Sequence, residues 1–121
     1  AEVAIPAPSE EVMPSPVPAV AAPAEPLSAQ RAYLKKHPRD YEAWLTFART
    51  LWQADEREEA LEAYNRVIRA GRLLDDVVFD LEKYVEQWPA VKVQQTLGDA
   101  YMKQGRLKEA LDLYRRALES L

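Results

Sequence analysis

The sequence has no cysteine, one histidine and three glycines, and none of its apolar runs is long. Without cysteine it can form neither a disulfide nor a thiolate metal site, and the redox compartment stays open. No run approaches the ~20 apolar residues of a membrane span, so no direct membrane insertion is expected of this stretch. The lone His37 sits between Lys36 and Pro38, and two of the four serines fall before residue 28, so no nucleophile has an evident partner base. Gly71 and Gly105 read as helix stops and Gly98 as a packing contact, so no phosphate loop is expected. No metal or cofactor is implied, and the chain reads as a non-enzyme.

Other shortages are local. Residues 1–27 hold seven of the nine prolines but no aromatic residue, lysine or arginine. Such a stretch cannot bury enough surface to offset its ordering entropy. It reads as an irregular, acidic Pro/Ala-rich linker, with the Pro14-x-Pro16-x-Pro18 spacing favouring an extended polyproline II spacer. The folded domain is placed at 28–121. The first residue is Ala rather than Met and no leader pattern is present, so the chain reads as a fragment or a mature form.

The linker's Glu2, Glu10, Glu11 and Glu25 carry the whole formal charge of −4, leaving residues 28–121 neutral. A neutral fold argues against nucleic acid, which calls for a clustered positive excess. Arg66, Arg69, Arg72 and the pair Arg115-Arg116 lie near helix ends, where cations are favoured in any case.

From Ser28 onward the apolar periodicity is helical and well punctuated. Ser28 is expected to cap a first helix ended by Pro38, and Asp40 to cap the second. Asp55 and Glu58 have capping-box spacing for a third, which Gly71 stops. A fourth carries Leu74, Val77, Val78, Leu81, Val85 and Trp88 before Pro89. A fifth runs from about Ala90 to Gln104, and a sixth carries Leu107, Ala110, Leu111, Tyr114 and Leu118. The fold class is all-α, with about six helices.

The chain also repeats itself. Ala48, Leu51, Ala60, Tyr64 and Val67 recur as Gly98, Tyr101, Ala110, Tyr114 and Ala117, fifty residues later, and Tyr33–Pro38 parallels Tyr84–Pro89 at an offset of 51. Two three-helix units, about 28–71 and 73–121, follow. Each has a helix closed by proline and then a helical hairpin. Small residues at 48, 60, 98 and 110 let the two helices of a hairpin approach closely, and the tyrosine one turn beyond fills the wider space.

These residues resemble the tetratricopeptide repeat family. Trp44-x2-Phe47-Ala48-x2-Leu51 with Ala60-x3-Tyr64 follows its signature, and Leu97-Gly98-x2-Tyr101 with Ala110-x3-Tyr114 follows it more closely, with Gln94 in place of the usual Trp. The period of fifty departs from the family's roughly 34. The helix from Leu73 to Trp88 looks like the second helix of a repeat without its first. The resemblance implies antiparallel hairpins in an α-α superhelix and a scaffold or adaptor that binds a protein or peptide. By position, it implies partner contacts at Glu42, Leu45, Arg49, Trp52 and Gln53, and at Lys92, Gln95, Asp99, Met102 and Lys103. The Lys/Asn carboxylate clamp of some family members is absent, since Leu45, Arg49, Gln95 and Asp99 stand at its positions.

The last helix has more apolar positions than one hairpin partner can bury. That suggests an alternative, a structural assembly subunit that self-associates as a homo-oligomer. Leu113 and Leu121 are expected to face outward, and Leu111, Tyr114 and Leu118 to face the preceding helix. The compartment is undetermined; a cytoplasmic soluble protein is favoured over a tethered domain of a membrane protein.

Overall fold

In the computed structural model, which describes residues 24–121, six helices follow one another: α1 (Ala24–Lys36), α2 (Tyr41–Gln53), α3 (Arg57–Arg69), α4 (Leu74–Gln87), α5 (Val91–Lys103) and α6 (Leu107–Glu119). The fold is all-α. Of the linker expected at residues 1–27, residues 1–23 lie outside the described residues, and 24–27 belong to α1. Among the described residues, no helix is long and apolar enough to cross a membrane.

The first helix begins earlier than the sequence suggested. It takes in Pro26, which a first helical turn accepts because the missing N–H has no helical partner there. Ser28 therefore lies inside α1 and is not its cap, and Leu27 and Leu34 reach the core. Asp40 caps α2 as expected, its carboxylate accepting from the Ala43 amide at 3.1 Å.

Asp55 does not cap α3. It takes the left-handed conformation, φ 66°, as Gly71 does at 70°. The following amides reach back to the carbonyls five residues earlier, Glu56 to Leu51 and Arg72 to Val67. Both helices thus close in the same glycine-type stop, and an aspartate tolerates the left-handed turn where most side chains would not. Glu56 occupies the cap position of α3 without a side-chain bond.

The hairpins α2–α3 and α5–α6 are the two tightest helix pairs. Their seams carry the small residues: Ala48, Ala60 and Ala110 are fully buried. A β-carbon on Gly98 would lie 2.7 Å from Cε1 of Tyr114, so this is a close approach that only glycine permits as the ring now sits. Helix α1 lies on α2, and α5 packs on both α3 and α4.

Candidate docking site

Helix α4 is what the fifty-residue period adds, and it rests on the face of α2 from which partner contacts were expected. Arg49 donates from Nε to Asp80 Oδ2 at 2.6 Å. Trp52 stacks on Tyr84 with centroids 4.0 Å apart, and the Arg57 guanidinium lies 5.1 Å from the Trp52 ring and 4.0 Å from that of Trp88. Beneath them the Tyr64 hydroxyl donates to Asp80 at 2.9 Å and shares a hydrogen bond of 2.9 Å with Tyr84. Burial, then these neighbours, pushes the Tyr64 phenol well above its usual range. The bond to Asp80 holds the Arg49 guanidinium more firmly protonated still. On its other side α4 meets α5, where Tyr101 donates to Glu82 at 2.6 Å and Gln104 to Asp75 at 2.9 Å.

This arrangement corrects part of the expected site. Leu45 and Trp52 are buried, so neither is open to a partner, and Arg49, its side chain still 44% exposed, is engaged in an ion pair with Asp80; Glu42 and Gln53 are exposed. For Arg49 and Trp52 the cause is the extra helix, whose Asp80 and Tyr84 engage them. In the second hairpin Lys92, Gln95, Asp99, Met102 and Lys103 are all exposed. Asp99, Met102 and Lys103 line one groove with Tyr114 and, from α3, Ile68 and Arg69.

The terminal helix also turns differently from expectation. Leu113 is 6% exposed, whereas Leu111 is 60% and Leu118 68% exposed. Leu113 shares its stripe with Ala110 and Ala117, whose small side chains let α5 settle along that line. Leu111 and Leu118 lie about 140–160° round the helix from Leu113. Leu121 is exposed, as expected. Tyr114 faces α5 as expected, against Gly98 and Asp99, and the outward leucines Leu107, Leu111, Leu118 and Leu121 run along its flank, with Tyr114 between them at steps of four and three.

The internal repeat shows what such a stripe does. Fifty residues earlier stand Leu61, Tyr64 and Ile68, and Leu61 and Ile68 are only 5% and 2% exposed. Tyr64 is covered by α4. Leu61 and Ile68 sit in grooves formed with α5, Leu61 with Val91 and Val93, Ile68 with Asp99 and Met102. The same face is thus closed on the first hairpin and, among the described residues, open on the second.

Two sequence models described as tetratricopeptide repeat match residues 25–74 and 91–120, together about two thirds of the chain. The chain belongs to the tetratricopeptide repeat family. No curated protein matches it. Tetratricopeptide repeats generally mediate protein–protein interaction and are typically non-catalytic, binding proteins or peptides. The unmatched segment between the two is almost wholly α4, the helix that separates this chain from an uninterrupted tetratricopeptide array.

Sequence reasoning missed Asp80 and the outward placement of Leu111 and Leu118. Asp80 had a visible signal, an acid within the apolar stripe Val77–Leu81–Tyr84, which calls for a cation or hydroxyl facing it.

Proposed function

We propose that this tetratricopeptide module is a non-catalytic scaffold or adaptor, and that it docks a protein partner on the open face of its second hairpin. The face comprises Asp99 and Met102 of α5 with Leu111, Tyr114 and Leu118 of α6. One observation supports the reading: the corresponding face of the first hairpin is buried by the chain's own helices, while this one leaves two leucines more than half exposed. Burying a leucine is worth about 1.5–3 kcal/mol, so the two together contribute at most about 3–6 kcal/mol, and Met102 and the polar pair Asp99–Tyr114 must add to them to exceed the cost of association.

The test is a selection of displayed helical peptides on the immobilised protein, followed by binding to a Leu111→Glu/Leu118→Glu variant. Helices that lose at least tenfold in affinity on the variant support the face. An empty selection, or binders indifferent to the two substitutions, overturns it. A concentration-dependent dimer abolished by the same substitutions would make the occupant a second copy, as in a self-associating assembly subunit.

A further inference from the structure

Resting on that reading, the structure assigns the partner a chemistry: we infer that it is an amphipathic helix that brings a lysine or arginine to Asp99. In the first hairpin the covering helix is held by a polar cluster of three. Arg49 of α2 and Tyr64 of α3 come from the hairpin, and the carboxylate of Asp80 comes from α4. In the second hairpin Tyr114 keeps the place of Tyr64, but Asp99 stands where Arg49 would be. The Tyr114 hydroxyl donates to Asp99 Oδ1 at 2.5 Å. Tyrosine and carboxylate are therefore already joined, with the carboxylate moved from the covering helix to the hairpin. The member left for the occupant to supply is the cation.

No cation among the described residues comes within ion-pair distance of Asp99. Lys103 and Arg69 line the same groove without making that contact. The sign pattern along the helix is reversed as a whole. Glu42 and Arg49 on α2 are replaced by Lys92 and Asp99 on α5. A helix with the charges of α4 would set a carboxylate against Asp99 and be repelled, so the face discriminates against the helix that its own fold uses fifty residues earlier. Lys103, one turn beyond Asp99, favours an acidic residue beside the incoming cation and so fixes the register of the docked helix. The rest of the occupant's face is apolar, to lie on Met102, which stands where Trp52 takes Tyr84 of α4 in the first hairpin.

The fold supplies a direct test. Ser120 and Leu121 stand fifty residues after Ala70 and Gly71, so adding a copy of residues 72–88 after Leu121, with Leu121→Gly, repeats the α3–α4 connection in register. Two versions are compared, one with aspartate at the copied position of Asp80 and one with arginine there. Each is placed in the natural host and in an Asp99→Arg host, with urea midpoints measured against the unextended hosts. The arginine helix is expected to dock at least tenfold more favourably than the aspartate helix in the natural host, about 1.4 kcal/mol, and the preference is expected to invert in the Asp99→Arg host. Equal stabilisation by both versions in both hosts overturns the charge assignment and leaves the face standing. Stabilisation by neither version overturns the α4-like pose. The functional reading survives that result if selected helices still bind through Leu111 and Leu118, and falls with it if they do not.

Discussion

Gly98→Ala isolates the contact that sets the spacing of the second hairpin. The added β-carbon would lie 2.7 Å from Tyr114 Cε1 and 3.1 Å from Cδ1 and Cζ. The ring cannot simply swing aside, because its hydroxyl is tied to Asp99 and one edge packs against the core. Overpacking of this kind costs about 1–3 kcal/mol. Against it, alanine is better than glycine within a helix by about 1 kcal/mol. The natural background should therefore lose up to about 2 kcal/mol, the difference of these two terms. In a Tyr114→Ala background the clash is gone and only the helix gain remains, so the same substitution should stabilise by up to about 1 kcal/mol. The assay is urea unfolding followed by helical circular dichroism for the four proteins of the cycle, compared at constant m. A coupling of about 1–3 kcal/mol is expected. The same shift in both backgrounds would refute the idea that Tyr114 is what requires glycine at 98.

Three further outcomes follow from the same geometry. Asp80→Ala leaves Arg49 without its carboxylate and Tyr64 without one of its bonds; with Arg49 partly solvated, a loss of about 2–3 kcal/mol is expected in urea melts, and a loss under 0.5 kcal/mol would mean that α4 is held by apolar packing alone. Leu113→Glu should unfold or severely destabilise the hairpin, whereas Leu118→Glu should stay within about 0.5 kcal/mol of the natural chain; equal effects in thermal melts would contradict the assigned faces of α6. Burial first, then bonds to Glu82 and Asp99, pushes the Tyr101 and Tyr114 phenols up to about 12, against about 10 in an unfolded chain. Their stabilising contribution is complete below pH 10 and is lost as the pH rises toward 12, because the unfolded chain releases those protons first; a urea midpoint that holds steady from pH 9 to 11.5 would contradict this.

Much of the architecture was legible because its signals are local. The stops at Pro38, Gly71, Pro89 and Gly105 and the recurrence of small residues at an offset of fifty fix six helices and two hairpins without knowledge of distant contacts. What the sequence hid was set by partners far along the chain. Arg49 and Asp80 lie 31 residues apart, and nothing near Arg49 shows that a helix will return to cover it. The outward face of α6 was misread because its apolar residues span two adjacent stripes. Only the fit of Ala110 and Ala117 against α5 decides which stripe goes inside. Asp55 was misread for a different reason, since aspartate suits both a helix cap and a left-handed stop.

Helix α4 also bears on how the molecule comes apart. Stacked repeats usually behave as weakly coupled units that can fray one at a time, because each touches only its neighbours. Here one helix is bonded at once to α2 through Arg49, to α3 through Tyr64 and to α5 through Tyr101 and Gln104. With α3 also packed directly on α5, the first hairpin and α5 are tied together twice, so the two hairpins are expected to melt as one cooperative unit instead of unzipping from an end.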